Sequence, residues 1–371
     1  MLRQPVDLPR PVGHPVVGGR SVGQTTRVRE TGRTTIADVA RLAGVDRAVV
    51  SKVLSDDPSL RVREETRLRV QAAATQLRYR PNFHARGLAR ARAGAMGLLV
   101  PAGNPLIVPI IAGAEEVASE RGLLLWTASH EGELTERYLR LLRGGAVDAA
   151  LVAGLRSDVH AEELFEDPRV PTLLVNRRSI GAQRWVVLDD ERAARMATQH
   201  LIDRGHVNIG MVGGPPGVDT AERRRRGFEA AMRAAGLPLR RDWVVDGEYT
   251  AEGGARSVAA FIEGPGRPTA IVAADANEGL GVWHELVAHG LSVPGDVSLI
   301  AIHKLPAEDY RVPPMTCVEM PLKELGRRAA ELVLDRPWDA PIRETIRADF
   351  TISLGATVAV PPAEARGGQR R

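Results

Sequence analysis

The chain has 371 residues, of which 44% are apolar and 26% are charged, and its formal net charge is +4. This length accommodates more than one domain, and the composition is that of an ordinary globular protein. No apolar run reaches the roughly 20 residues that span a bilayer, and the N-terminus has no compact apolar signal segment. The single cysteine, Cys317, excludes a disulfide framework and a multi-thiolate metal site. We expect a cytoplasmic protein without metal or cofactor, in which Cys317 is a buried thiol.

The charge is unevenly distributed. Residues 27–92 contain 15 Arg or Lys and 7 Asp or Glu, a local net charge of +8, so the remainder of the chain carries −4. A basic segment attached to a mildly acidic body indicates a contact with a polyanion. On charge alone, a solvated basic face is an equally good interpretation.

Residues 1–33 are rich in Pro, Gly and Arg without an amphipathic period, and residues 361–371 are similar, so we expect disordered tails. Residues 34–79 predict three short helices and no strand. Thr35 and Asp38 have capping-box spacing before the first helix. Gly44 then predicts a turn, Asp46 caps a second helix over 47–54, and a third helix covers 63–77.

From residue 95 onward, apolar runs alternate with amphipathic helical segments. Such alternation over some 250 residues predicts parallel, doubly wound sheets in an α/β body, which we divide into two lobes. The predicted strands are 96–100, 123–126, 149–152, 172–175, 209–212, 270–273 and 297–302. The predicted helices between them are 109–121, 135–142, 192–204, 223–235 and 279–289.

The segment from Ala40 to Ser51 has helix-turn-helix spacing, with Ala43 where the helices cross and Gly44 at the turn. In this motif the second helix enters the major groove and presents its N-terminal side chains to the bases. We therefore expect DNA contacts from Arg47, Ala48, Ser51 and Lys52. Thr35 is either a phosphate donor or a plain helix cap. An ordinary helical hairpin is the alternative for the whole motif.

Three groups of residues follow one another along the chain. They are Thr35-Ile36-Ala37-Asp38-Val39-Ala40 with Ala43-Gly44-Val45, then Val50-Ser51 with Val53-Leu54, and finally Tyr79-Arg80-Pro81-Asn82 with Ala85-Arg86 and Leu88. Together they resemble the headpiece and hinge of LacI/GalR transcriptional regulators. Motifs of the body follow in family order, including Arg224 with Gly227-Phe228, so that the match covers about residues 34–355. Two positions depart from the family: Asp46 replaces its usual Ser, and Val49 its usual Thr.

The resemblance implies a periplasmic-binding-protein-like body, and a homodimer that binds a near-palindromic double-stranded operator. It also implies that Asn82, Arg86 and Leu88 form a hinge helix on DNA, where Leu88 wedges into the minor groove and bends the duplex. Packing of Leu88 on the body, and solvation of Asn82 and Arg86, are the alternatives. Residues 322–334 offer an amphipathic helix for the dimer surface, and the tail lacks the heptads of a tetramer-forming coiled coil.

The resemblance also places a small-molecule effector between the lobes, contacted by Arg224, Tyr249, Asp275 and His303. Arg224 is otherwise one solvated member of an arginine run, Tyr249 a core residue, and His303 a structural histidine. His303 and Lys304 replace family aspartates, and Leu106 and Ile107 replace aromatic residues. We therefore expect an effector that is not a simple sugar, with an acidic effector or a vestigial pocket as the two alternatives.

These inferences predict a headpiece at 34–79, a hinge and linker at 80–94, and an effector-binding and dimerisation domain at 95–360. The first lobe comprises about 95–189 plus 319–340, and the second about 190–318 plus 341–360. An enzyme is one competing class, because the segment 210–217 is glycine-rich after a strand. It lacks the order of a dinucleotide fingerprint and the Lys-Ser/Thr of a P-loop. An exported binding protein is another class, and an activator of the same family is a third.

Overall fold

The computed structural model describes residues 34–55, 60–79, 93–130, 138, 144–154, 170–179, 181–263, 266–310 and 313–362. The described residues fall into two compact units, a helical headpiece and an α/β body. Most of the predicted hinge and tails, and nearly all of the predicted helix 135–142, lie outside these ranges. Within them, no helix combines the length and apolarity needed to cross a membrane.

The headpiece contains three helices, α1 (Ile36–Ala43), α2 (Arg47–Leu54) and α3 (Glu64–Gln76). The predicted capping box is confirmed. The Asp38 carboxylate accepts hydrogen bonds from the Thr35 backbone N–H at 3.0 Å and from the Thr35 hydroxyl at 2.7 Å. Gly44 ends α1 with φ +64°, a conformation that glycine adopts without strain. Asp46 caps α2 by accepting the Ala48 N–H at 2.7 Å. These local signals orient α1 and α2 around one small apolar core, formed by Val39, Ala40, Ala43, Val50, Val53, Val70, Ala73 and Ala74.

The body contains two six-stranded sheets. In chain order the strands are β1 (Ala95–Pro101), β2 (Leu124–His130), β3 (Ala149–Ala153), β4 (Thr172–Val175), β5 (Arg184–Leu188), β6 (Ile209–Val212), β7 (Val244–Val245), β8 (Ala270–Ala273), β9 (Ser298–Ile302), β10 (Thr316–Glu319), β11 (Ile342–Ile346) and β12 (Thr351–Ser353). The helices are α4 (Ile107–Glu120), α5 (Asp190–Ile202), α6 (Asp219–Ala234), α7 (Ala251–Glu263), α8 (Ala276–Ala288) and α9 (Leu322–Asp335).

The first sheet has the order β11-β5-β4-β3-β1-β2 and is parallel throughout. The second has the order β12-β10-β9-β8-β6-β7, and only β12 runs antiparallel to its neighbour. The central strands are buried along their whole length, which explains why their sequences are continuous apolar runs. The predicted two-lobed α/β class is confirmed. Cys317 is buried in β10, as expected.

The predicted lobe boundary at residue 340 is wrong. Strand β11 continues the first sheet, with Ile342 opposite Arg184 and Ile346 opposite Leu188, and only β12 returns to the second sheet. The chain therefore passes between the sheets after β5, after β10 and after β11. Residues 342–346, at a sheet edge, have three consecutive polar side chains between two isoleucines, so no apolar run marked them.

Helix α9 does not offer its apolar face to a partner subunit. That face packs on α4 within the first lobe, and the two helix backbones approach closely at two glycines. A Cβ on Gly326 would lie 2.0 Å from the Ile110 carbonyl oxygen, and one on Gly113 would lie 1.9 Å from the Lys323 oxygen. The seven residues of α9 that are buried are Leu322, Leu325, Gly326, Ala329, Ala330, Leu332 and Val333. The prediction of an inter-subunit surface at 322–334 is therefore corrected.

Candidate nucleic-acid interface and effector cleft

Helix α2 presents a polar face at the surface of the headpiece. Its buried residues are Val50 and Val53, which hold the opposite face on the headpiece core. The four residues predicted to contact DNA are all exposed, and they are Arg47, Ala48, Ser51 and Lys52. This arrangement places one guanidinium, one ammonium and one hydroxyl on the exposed side of the helix. Such donors match the acceptors of guanine bases and of phosphates.

Thr35 is exposed but already engaged in the cap of α1, with its hydroxyl donated to Asp38. Thr35 therefore acts as a helix cap in this structure, and its contact with a phosphate remains a prediction. Asp46, which replaces the usual serine, gives its carboxylate to the cap of α2. Asn82, Arg86 and Leu88 lie outside the described residues, and their predicted roles stay predictions.

The body contains a cavity between its two lobes, with a volume of about 40 Å³. Three of the four predicted effector residues line it: Arg224, Tyr249 and His303. Leu106 and Ile107 form part of the apolar wall from the first lobe, together with Pro101, Ile110, Ala153 and Leu322. The space accommodates a single water molecule rather than a ligand pocket of about 300 Å³ or more. The cleft in this conformation is therefore smaller than a ligand pocket of that size.

Asp275 differs from the other three predicted residues, because it does not line this cavity. Its carboxylate caps α8 by accepting the Glu278 backbone N–H at 2.9 Å. Burial raises the pKa of Asp275 to about 6. The side chain of Glu278 is also buried, and burial beside Asp275 raises its pKa well above the usual range. Asp275 thus forms part of a buried acid pair behind the cavity wall.

Arg224 is buried rather than solvated. Its guanidinium donates to Asp190 at 2.7 Å, to the Ala274 carbonyl oxygen at 2.6 Å and to His303 Nε2 at 2.8 Å. The guanidinium carbon also lies 5.5 Å from the centroid of the Tyr249 ring. Arg224 therefore connects α5, the end of β8 and the end of β9 at one point.

Sequence reasoning missed Asp190, which organises this region. It is fully buried at the start of α5 and accepts hydrogen bonds from both Arg223 and Arg224. Burial by itself raises the pKa of Asp190, but the two adjacent guanidinium groups outweigh that effect and hold the pKa below its usual value. The available signal was the Asp189-Asp190 pair directly after the apolar run 186–188, which marks a strand end followed by a helix cap.

Arg223 and Asp219 join the two lobes. Arg223, on α6 of the second lobe, donates to the Leu188 carbonyl oxygen at 2.7 Å and to the Asn176 carbonyl oxygen at 3.4 Å. Asp219 accepts the Arg178 backbone N–H at 2.9 Å and also pairs with Arg223. These contacts hold the cleft closed with the protein's own groups. Asp219 and Arg223 are four residues apart on α6, and this spacing was the signal for their ion pair in the sequence.

Tyr249 both packs in the body and lines the cavity. Its hydroxyl lies 3.0 Å from Thr220 Oγ1, and burial raises its pKa to about 12. Gly214 faces the ring so closely that a Cβ there would lie 2.2 Å from the ring carbon Cζ. This contact accounts for a glycine in the segment 210–217, which as a sequence suggested a phosphate loop.

Three residues of the cavity wall share an uncommon backbone conformation. Asn176, Tyr249 and His303 have φ of +65°, +60° and +64°, and they are three of the four described non-glycine residues with positive φ. Such conformations are costly for side chains larger than glycine and concentrate at functional sites. Lys304, the neighbour of His303, is not in the wall and pairs with Glu319 at 3.3 Å.

Two family descriptions match the chain. "Bacterial regulatory proteins, lacI family" matches residues 35–82, and "Periplasmic binding protein-like domain" matches residues 198–357. The HTH-type transcriptional repressor PurR of Photobacterium profundum is 31% identical over 312 residues, covering 82% of this chain and 92% of the relative. The chain belongs to the lacI family. The ribose operon repressor of Escherichia coli K12 is 31% identical over 307 residues, covering 81% and 92%.

Solved structures agree with this family assignment. A LacI family transcriptional regulator from Mycobacterium smegmatis has a TM-score of 0.68 and 28% identity, covering 72% of this chain and all of that one. A lac repressor dimer bound to operator and the anti-inducer ONPF has a TM-score of 0.77 at 21% identity, covering 88% and 100%, and supports the fold. This lacI-family protein is a DNA-binding transcriptional repressor, so the enzyme and exported-binding-protein interpretations are excluded.

Proposed function

We propose that this repressor binds a near-palindromic operator as a homodimer through helix α2, and that a small molecule in the cleft controls the binding. The observation that carries the proposal is the exposed face of α2, where Arg47, Ser51 and Lys52 stand beside Ala48. Two such helices, related by the twofold axis of a dimer, address two half-sites about one helical turn apart. The relatives named above are repressors, which supports the same role here.

A dimer is supported by exposed apolar side chains on the first lobe. Leu124 and Trp126 are each 50% exposed, and side chains two residues apart on a strand point to the same face. They lie on β2, the edge strand of the first sheet. Apolar residues at an unpaired sheet edge favour contact with another chain. Light scattering at micromolar concentration should give the mass of a dimer, and a monomer or a stable tetramer would contradict this part of the proposal.

The hinge contributes to specificity in this proposal. Two hinge segments held side by side by a dimer would order on DNA, with Leu88 wedged into the minor groove and Asn82 and Arg86 beside it. A segment this short forms a marginal helix by itself, so its order depends on the separation that the body imposes. An effector that separates the lobes would change this distance and therefore the operator affinity. The described cleft wall contains Leu106, Ile107 and His303 and no carboxylate, which supports an effector that is not a simple sugar.

The test begins with selection of bound DNA from a random pool by the full-length protein. On the selected site, Arg47→Ala and Lys52→Ala should each weaken binding by about 1–3 kcal/mol if they contact bases. Arg233→Ala, which removes one exposed positive charge from α6 in the body, is the control for charge alone. Equal losses on selected and random DNA would assign the two residues to phosphates, and unchanged affinity would refute the assignment of the interface.

A further inference from the structure

The hydrogen-bond polarity of His303 is fixed by its neighbour. His303 Nε2 lies 2.8 Å from Arg224 Nη2. A guanidinium group donates hydrogen bonds and accepts none, so Nε2 must carry a lone pair at this contact. Burial, assisted by the charge of Arg224, lowers the pKa of His303 to about 3, and the ring is therefore neutral at pH 7. The single ring proton accordingly lies on Nδ1.

This Nδ1–H group has no acceptor among the described residues. The atom is buried, and His303 as a whole is 2% exposed and lines the cavity. A buried donor that is left without an acceptor destabilises the protein. Native proteins satisfy nearly all such groups, so an exception at a cavity wall indicates that a water or a ligand atom accepts this hydrogen bond. The ligand atom at this position must be an acceptor.

The opposite lobe supplies a complementary group. Asn176 Oδ1 is buried without a hydrogen-bond donor among the described residues, and Asn176 lines the same cavity. This oxygen suits a ligand hydroxyl that donates. The ionic side chains that line the cavity are Arg177 and Arg224, and the described lining contains no carboxylate. The wall therefore presents a donor on one lobe and an acceptor on the other.

We propose that the cleft binds a small hydroxylated carboxylic acid, whose carboxylate accepts the Nδ1–H of His303 and whose hydroxyl donates to Asn176. This inference rests on the proposed role of the cleft as the effector site. A carboxylate accepts without bringing a proton of its own, and a charge-assisted hydrogen bond is about twice as strong as a neutral one. A sugar hydroxyl at His303 would form only a neutral hydrogen bond, which is the weaker of the two.

The experiment compares matched probes on the full-length protein by calorimetry and thermal unfolding. D-gluconate is paired with D-glucitol, and D-glycerate with glycerol, so that each pair differs only by a carboxylate in place of a hydroxymethyl group. The acid of at least one pair should bind about tenfold or more tighter than its alcohol, as one charged hydrogen bond allows. Tighter binding of the alcohols, or no binding of any probe at millimolar concentration, would overturn the inference.

Variants of His303 sharpen the comparison. His303→Asp removes the donor and should abolish the preference for the acid, whereas His303→Asn retains a side-chain N–H and should preserve part of it. His289→Asp makes the same change of residue at an exposed position of the second lobe and should preserve the full preference. If His303→Asp fails to fold, ¹⁵N-histidine spectra of the parent still test the argument. They should show protonated Nδ1 and unprotonated Nε2, with the Nδ1 signal shifted by gluconate, and a protonated Nε2 would contradict the proposal.

Operator binding separates this inference from the proposed function. If the protein binds its selected DNA but prefers the alcohols, the ligand class is wrong and the repressor function stands. If no DNA is selected, the proposed function fails, and calorimetry with gluconate still decides the ligand class.

Discussion

Arginine has opposite roles in the headpiece and in the body. Arg47 is exposed at the start of α2, the helix that we propose contacts DNA. In the cleft, Arg223 and Arg224 are 2% and 3% exposed. Their guanidinium groups donate hydrogen bonds to Asp190, Asp219 and backbone carbonyl groups. The run Arg223–Arg226 carries more positive charge than α2 does. However, two of its four arginines, Arg223 and Arg224, are buried and hold the structure together. Burial, rather than residue type, decides which arginine is available to bind another molecule.

Removal of Asp190 should produce the largest effect. Asp190→Ala leaves two buried guanidinium groups without their shared carboxylate, and the loss of one partner of a buried ion pair costs about 3–5 kcal/mol. All five tryptophans lie between residues 126 and 338, so their fluorescence during urea unfolding reports on the body alone. Asp335→Ala, which breaks the exposed pair with Arg121, is the control and should have a much smaller effect. Equal losses for both variants would refute the buried-cluster argument.

The pH dependence of stability should reveal His303 next. Its pKa is lowered from the model-peptide value of 6.5 to about 3 in the folded protein, so unfolding takes up a proton below pH 6.5. The stabilisation from this group is therefore complete above pH 6.5 and is lost as the pH falls toward 3. Relative to His303→Asn, the parent should lose about 2 kcal/mol of unfolding free energy between pH 7 and pH 5.

The comparison with His303→Asn is needed because other groups titrate nearby. The groups that face His303 are Arg224 and Asp190, while Asp275 lies behind them with a pKa raised to about 6. Asp275 contributes the opposite slope, since a raised carboxyl pKa stabilises the protein at low pH and this stabilisation is lost as the pH rises through 6. Parallel stability curves for parent and variant would show that His303 titrates normally.

The smallest expected effect distinguishes the two interpretations of Thr35. Thr35→Ala removes the capping hydroxyl and should destabilise α1 by about 1 kcal/mol, measured by hydrogen exchange of its amides. Thr35→Ser retains the hydroxyl and should behave as the parent. Asp38→Ala removes the other half of the box. If Thr35 also donates to a phosphate, Thr35→Ala should weaken operator binding and its salt dependence more than Asp38→Ala does; equal effects would leave Thr35 as a cap.

An element was predicted accurately from the sequence when its own residues form a clear local pattern. Strands β4, β6 and β8 were predicted with their observed bounds, because a buried parallel strand is a short apolar run. Strands β5, β7, β10, β11 and β12 were missed. Strand β7 has only two residues, and the other four include polar residues such as Arg184 and Thr345. Helix α7 was missed as well, and its Gly253-Gly254 pair weakens a helical pattern. There Gly254 is needed because a Cβ would lie 2.2 Å from the Glu278 carbonyl oxygen.

The sequence by itself determined the headpiece, the polar face of α2 and the family to which the chain belongs. Those features depend on neighbours within a few turns, such as the cap of Thr35 by Asp38 and the left-handed turn at Gly44. Only the tertiary structure decided the cleft. Asp190, Arg224 and His303 are 34 and 79 residues apart along the chain, and they meet because three separate strand ends converge. No local pattern encodes that His303 accepts from Arg224, so the polarity of the ligand site follows from packing alone.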